Sequence, residues 1–262
     1  GTSDVTAGHE VLIRNDYRRL FAGRSCIGEG CIVFDWGANW GAFAALALGL
    51  LDLDEPYKVQ VVEPDLDNFR LLKQTLRANA LKRGKLQYDL TCIEFLQGAI
   101  VSHDKSTTGL SVSSSCYNKY RHTAHDPDSR KGNIQTVASC NYAKLIGSTI
   151  ADFARSSDCN SVDILMKMDI EGTELDILDA GLTIGLFKQP GITTASIGVI
   201  FEYSFDRDAG LPSFRRRVRK LQRSFDSVHF ASDLLVPGVI DAKLKSRAQS
   251  AIIFCSWENP RT

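Results

Sequence analysis

The sequence predicts an α/β protein: a doubly wound, Rossmann-like, mostly parallel sheet of seven strands with a hairpin insertion. Three observations carry that expectation. Seven short apolar runs, at 31–35, 58–63, 92–97, 162–168, 197–203, 226–231 and 249–256, alternate with stretches of helical spacing. Such alternation marks a sheet covered by helices on both faces. Two of the runs end at an acid with turn chemistry directly behind it, Asp35 before Gly37 and Glu63 before Pro64. The third observation is size: 262 residues, 44% hydrophobic and 24% charged, suffice for one large core.

The first run, Ile32-Val33-Phe34, stops at Asp35 and passes through Trp36-Gly37-Ala38-Asn39-Trp40-Gly41 into the helix-like Ala42-Phe43-Ala44-Ala45-Leu46-Ala47-Leu48. A strand, a glycine turn and a helix start form the place where open α/β sheets bind nucleotide-like ligands. Glycine lets the backbone take positive φ and approach a ligand closely. A dinucleotide fingerprint would need glycines at 39 and 42, which hold Asn39 and Ala42. An acid two residues before the first glycine suits a ligand bearing an ammonium group, as S-adenosylmethionine does, better than a pyrophosphate. The second run, Lys58 to Val62, ends at Glu63, which lies 28 residues beyond Asp35. An acid at that strand end accepts hydrogen bonds from ribose hydroxyls, and the loop 52–57 explains why the spacing exceeds the usual ~20 residues. Pro64-Asp65 then opens a helix with Leu66, Phe69, Leu72 and Leu76 on one face.

Residues 102–138 interrupt the alternation. Strand-like 107–113 and 133–137 flank a serine-rich stretch, which reads as a hairpin-borne cover over a substrate mouth. The fourth run leads to Lys167-Met168-Asp169-Ile170-Glu171, where alternation puts Lys167 and Asp169 on one face. Asp169 and Glu171 then stand at the ligand-binding end of the strand and can orient a hydroxyl or accept its proton. Capping of the next helix, which carries Leu175, Ile177, Leu178 and Leu182, competes for Glu171 and Thr173. A later helix, 212–225, is expected to bury Phe214, Val218, Leu221 and Phe225. Its other face holds Arg215, Arg216, Arg217, Arg219, Lys220 and Arg223, which reads as a solvated surface in preference to a phosphate site.

Formal net charge is zero, so no nucleic-acid partner is expected. The longest helix-like apolar stretch, 42–51, has ten residues against the ~20 needed to span a bilayer. Seven cysteines, at 26, 31, 92, 116, 140, 159 and 255, form no C-x-x-C pair and read as free thiols of a reducing compartment, hence cytoplasmic. The opening Gly1-Thr2-Ser3 has the look of a cloning remnant, which leaves room for an upstream targeting or anchoring segment. His122-x-x-His125-Asp126 lacks further well-spaced ligands, so no metal is expected.

Three segments together resemble the FkbM family of S-adenosylmethionine-dependent methyltransferases. They are Phe34-Asp35-Trp36-Gly37-Ala38-Asn39-Trp40-Gly41, then Val62-Glu63-Pro64-Asp65 with Asn68-Phe69, then Lys167-Met168-Asp169-Ile170-Glu171-Gly172-Thr173-Glu174. The family pattern is D-x-G-A-N-x-G, E-P-x-x-x-x-F and K-x-D-x-E-G-x-E in this order, and the resemblance covers roughly residues 30 to 205. Trp36 and Trp40 depart from the smaller residues usual at those variable positions.

The resemblance implies a class I methyltransferase fold whose last strand, Ala251 to Cys255, inserts antiparallel. It implies that Asp35, Gly37, Ala38, Asn39 and Gly41 wrap the methionine part of the cofactor, that Glu63 takes the ribose and that Pro64 lies against the adenine. In the same reading Gln97 and Ala99 belong to the short turn after the third strand, with Gln97 at the adenine edge. Asp169 faces the methyl group and the acceptor, and Glu202 contacts substrate. An alcohol acceptor must lose a proton, for which Asp169 and Glu171 are the first candidates and His229 stands behind them; His229 reads as a core histidine in preference to a catalytic one. One domain is expected over 1–262. It divides into a cofactor-binding half at about 30–100, the insertion, and a substrate-side half at about 139–262. The implied reaction is O-methylation of a sugar or natural-product-like hydroxyl. N- or C-methylation, a non-catalytic cofactor-binding scaffold and, least of all, an NAD-dependent oxidoreductase are the rivals.

Overall fold

The computed structural model describes residues 17, 21, 28–82, 85–86, 88–101, 107–112, 133–170, 177, 184–204, 211–230 and 250–259. Within them, seven strands form the main sheet: β1 (Cys31–Trp36), β2 (Tyr57–Glu63), β5 (Ile93–Gln97), β9 (Ser161–Met168), β10 (Thr193–Ser204), β11 (Ser227–Phe230) and β12 (Ser250–Glu258). Their order is β11-β12-β10-β9-β1-β2-β5. All neighbours pair parallel except β12, which runs antiparallel between β10 and β11. The seven expected runs are therefore the seven strands, and the last inserts antiparallel as the resemblance implies. Chain order reverses on either side of β1, which has β2 on one flank and β9 on the other. That reversal opens the crevice where ligands bind in open α/β sheets.

Strand alternation divides the core in two. Ile32, Phe34 and Trp36 point to one face with Ile146, Ile150 and Phe153 of helix α3 (Tyr142–Ser156) and Leu221 of helix α4 (Leu211–Ser224). Val33 points to the other face, against Phe43 and Ala47 of α1 (Ala42–Leu48) and Leu72 and Leu76 of α2 (Leu66–Ala80). Helix α2 starts where expected, with Asp65 Oδ1 accepting the backbone N–H groups of Asp67 and Asn68. Of the apolar face expected on α4, Leu221 and Phe225 are buried and Val218 half-buried; the side chain of Phe214 lies outside the described residues. Arg216, Arg219, Lys220 and Arg223 are exposed.

Helix α3 has no counterpart among the expected elements. Its signals are ordinary ones: Asn141 caps it by accepting from the N–H groups of Ala143 and Lys144, and Ile146, Ile150 and Phe153 follow helical spacing. The expected hairpin is present as β7 (Thr107–Val112) paired antiparallel with β8 (Asn133–Asn141). A short unforeseen strand, β6 (Ala99–Val101), runs parallel to β8 and ties the hairpin to the end of β5. Between α2 and β5, β3 (Leu81–Lys82) and β4 (Lys85–Leu86) form a small antiparallel ladder. The helix expected after β9 lies outside the described residues apart from Ile177, which is helical and buried. Among the described residues, no helix is long and apolar enough to cross a membrane.

Candidate functional site

The turn after β1 is built from left-handed backbone. Gly37, Asn39 and Gly41 have φ of 71°, 52° and 88°, which glycine adopts freely and asparagine tolerates. At Gly37 the demand is also steric, because a Cβ there would stand 1.9 Å from the carbonyl oxygen of Asp169. The N–H groups of Gly37 and Ala38 both donate to the Val62 carbonyl at 3.0 Å, and the Asp169 N–H donates to the Trp36 carbonyl at 2.9 Å. The ends of β2, β1 and β9 are thereby drawn together around one turn.

Asp35 is wholly buried beneath this turn. Helix α1 has no side-chain cap at Gly41, and Asp35 Oδ2 supplies one by accepting the Ala44 N–H at 3.1 Å. The positive end of the helix favours a carboxylate there. Lys167 lies directly opposite Asp35 in the β1–β9 register. Its ammonium stands 3.4 Å from Asp35 Oδ1 and 3.6 Å from Asp169 Oδ2, and donates to the Gly37 carbonyl at 2.6 Å. Burial pushes the Asp35 carboxyl up, against the pull of Lys167 and the Ala44 N–H. On Lys167 burial acts downward, but attraction to Asp35, Asp169 and Glu63 outweighs it and holds the ammonium charged.

Glu63, 3% exposed, closes the other side. Its oxygens accept the Asn39 N–H at 2.8 Å and the Asp65 N–H at 3.0 Å, so the second acid grips the turn that follows the first. Burial raises the Glu63 carboxyl to about 7, although the two backbone hydrogen bonds and Lys167 pull it down. Each carboxylate oxygen has a second lone pair, so Glu63 keeps acceptor capacity for two more donors. Asn39 Oδ1 is buried without a hydrogen-bond partner.

The remaining expected residues are distributed around these groups and beyond them. Gln97 pairs with Glu63 in the β2–β5 register and is exposed. Pro64 and Ala99 are buried beside it, and the Gly98 N–H donates to the Glu63 carbonyl. Asp169, with a side chain 36% exposed, stands open at the end of β9. The backbone of Glu202 lies one step beyond the Phe201–Met168 pair, level with Asp169; its side chain lies outside the described residues. Glu171 lies outside them too.

His229 is not brought to this cluster. It pairs with Phe254, which pairs with Ile200, which pairs with Lys167, so three inter-strand steps, about 14 Å, separate it from β9. Lys167 was the residue least visible as a site member in the sequence. Its signal is its place two residues before Asp169 on one strand face, but its partner Asp35 is fixed only by register. Among the described residues no group of three metal-binding side chains occurs.

No curated protein matches this chain in sequence. Solved structures similar to it include an FkbM methyltransferase from Methylobacillus flagellatus KT, at 13% identity and a TM-score of 0.44, covering 92% of this chain and 47% of that one. The chain thus spans about half the length of the Methylobacillus protein. Others are a SAM-dependent methyltransferase from Aquifex aeolicus (11%, TM-score 0.38, 95% and 91% covered) and the O-methyltransferase TomG from Streptomyces achromogenes in complex with SAM (9%, 0.38, 97% and 80%). The family model for the methyltransferase FkbM domain matches residues 35–226, from the first strand-end acid to just before β11. By that match, the chain belongs to the FkbM family of S-adenosylmethionine-dependent methyltransferases.

Proposed function

We propose that the chain methylates a hydroxyl group on a sugar or small natural-product-like acceptor. The observation that carries this reading is the placement of two acids with different access on either side of the Gly37 turn. Glu63 is buried with spare acceptor capacity and Asp169 is open to solvent. The residues present fit S-adenosylmethionine: Asn39 Oδ1 is an orphaned buried acceptor beside the turn, and Gly37 and Gly41 bring bare backbone to the same spot. Glu63, once ionised, is suited to accept both ribose hydroxyls through charge-assisted bonds. In this reading Pro64, next to Glu63 in the chain, and Gln97, its partner in the β2–β5 register, would border the adenine. When bound, the cofactor supplies an electrophilic methyl group on a sulfonium centre.

The protein's own work is then alignment and proton removal. Holding the acceptor oxygen in line converts a bimolecular encounter into an oriented one, and positioning of this kind contributes several kcal/mol, up to about 10, to catalysis. This reading assigns the hydroxyl proton to Asp169, open at the end of β9, with Glu171 two residues further along the chain. His229, on a distant strand, has no part in this scheme. The hairpin β7–β8, tied to β5 through β6, supports a role for 102–138 in choosing the acceptor. A reducing, cytoplasmic setting accords with the five described cysteines, all free thiols.

The test is a screen of matched alcohol and amine acceptors with methyl-labelled cofactor, run on the native chain and on Asp169→Asn. Label on the alcohol that falls by about 100-fold or more in the variant, with cofactor affinity retained, is the expected outcome. Label on the amine alone, or none on any acceptor despite cofactor uptake, would sink O-methylation in favour of N-methylation or a binding scaffold.

A further inference from the structure

A carboxylate two residues before a glycine turn invites the idea that it grips the ligand's ammonium. The structure puts a different cation there. Asp35 is fully buried, its Oδ2 is taken by the Ala44 N–H, and its Oδ1 faces the Lys167 ammonium at 3.4 Å. The Lys167 side chain is itself 5% exposed. A buried carboxylate needs a partner, and here the chain supplies one. A ligand ammonium could reach Asp35 only by displacing an ammonium already tied to the turn.

We infer that Lys167 is a positioning residue. Its pair with Asp35 is an internal strut that fixes the cofactor turn against Asp169, and Asp35 makes no contact with the cofactor. This inference rests on the methyltransferase reading for what the turn holds. The strut has three arms from one nitrogen: to Asp35 under helix α1, to the Gly37 carbonyl within the turn, and to Asp169 at the end of β9. Gly37 already presses on the Asp169 carbonyl with no room for a Cβ. A shift at the ammonium therefore moves the turn and the acid together. The cofactor-wrapping backbone and the proton acceptor are set by one side chain that touches neither ligand.

The strut and the clamp readings part on a double variant. Loss of Lys167 leaves Asp35 buried and unpaired, and loss of Asp35 leaves the buried ammonium with only the longer contact to Asp169, whereas loss of both removes the problem. Affinity for S-adenosylhomocysteine, measured by calorimetry well below each melting temperature, is expected to fall at least about tenfold in Lys167→Met and in Asp35→Asn, because small misplacements at a site are costly. In the double variant Asp35→Asn with Lys167→Met most of that loss is expected to return. A double variant that binds no better than Asp35→Asn overturns the inference, since a clamp cannot be rescued by removing its neighbour. Melting temperatures that fall while affinity per folded molecule stays put also overturn it, leaving Lys167 a stabilising residue only.

Should the single variants not fold, a crystal structure of the native chain with S-adenosylhomocysteine decides. The ligand's amino nitrogen is expected beyond hydrogen-bonding reach (about 3.2 Å) of both Asp35 oxygens, and contact overturns the strut. If the native chain takes up no such ligand, the methyltransferase reading is what fails. The strut then stands or falls on whether the double variant melts above both single variants.

Discussion

The two faces of the sheet each bury a polar cluster, and the two clusters are finished to different degrees. On the α3 face, Trp36 Nε1 donates to Gln60 Oε1 at 3.1 Å, and Gln60 Nε2 donates to Thr149 Oγ1 at 2.6 Å and to Glu94 Oε2 at 3.0 Å. The amide of Gln60 has a partner for each of its groups, and the cluster locks α3 to the sheet. On the α1 face, Asp35, Lys167, Glu63 and Asn39 surround a left-handed turn. There Asp35 Oδ1 is met by the Lys167 ammonium at 3.4 Å, Asn39 Oδ1 has no hydrogen-bond partner, and Glu63 is held at the edge of neutrality. Burying an unsatisfied acceptor costs roughly 1–3 kcal/mol, so a fold retains one where something else uses it. The complete network builds the fold; in the proposed reading, the cofactor completes the other.

The largest expected effect is a crossed one. Glu63→Ala removes the acceptor proposed for the two ribose hydroxyls, an expected loss of about 3 kcal/mol, or at least about 100-fold in affinity. It relieves a buried acid but also leaves the Asn39 and Asp65 N–H groups without their acceptor, so the two effects offset and the melting temperature should change little. Gln60→Leu does the reverse: it leaves Trp36, Thr149 and Glu94 without their partner and destabilises by about 2–3 kcal/mol, with cofactor affinity unchanged. Calorimetric titration and thermal melts on both variants check this. Equal affinity losses would erase the distinction between the two clusters.

The pH dependence sharpens the same contrast. The Glu63 carboxyl sits at about 7 in the fold against an ordinary 4.5. A raised carboxyl binds its proton more tightly folded than unfolded, so without ligand its unfavourable contribution is absent below pH 4.5. That contribution grows as pH rises through the window to 7, reaching about 3 kcal/mol. Hydroxyl donors want the ionised form, so cofactor affinity should climb about tenfold from pH 6 to above pH 7. Stability of the free protein and affinity for the cofactor therefore run in opposite directions with pH. Affinity flat across that window in the native chain would remove Glu63 from the ribose.

Much of this was legible in the sequence, for reasons that are local. Asp35, Glu63 and Asp169 each end an apolar run, and a strand-end acid before a turn lies at the ligand edge whatever the strand order. Helix α3 was equally local, signalled by Asn141 and the Ile146, Ile150 and Phe153 spacing, yet was not anticipated. What could not be read was pairing across the chain. Lys167 meets Asp35 only because β9 lies beside β1 in one register. His229 sits in an apolar run like any other, and only the order β11-β12-β10-β9 sets it far away. The unmet acceptor at Asn39 follows from where a partner is missing in space, which no spacing rule encodes.

The smallest expected effect isolates that last feature. Asn39 holds φ at 52° with its side-chain oxygen buried and unpaired, so it bears backbone strain and an unmet acceptor together. Asn39→Gly relaxes the backbone, since glycine enters the left-handed region freely, and deletes the acceptor. It also keeps the backbone N–H that binds Glu63. Unfolding of the free protein should therefore stay within about 1 kcal/mol of the native value, set by relief of the acceptor against the greater freedom of an unfolded glycine. Cofactor affinity should fall by about fivefold, the worth of one neutral hydrogen bond. A fall in stability with affinity intact would mean that Asn39 Oδ1 serves the turn and not the ligand, and that the orphaned acceptor is no mark of the site.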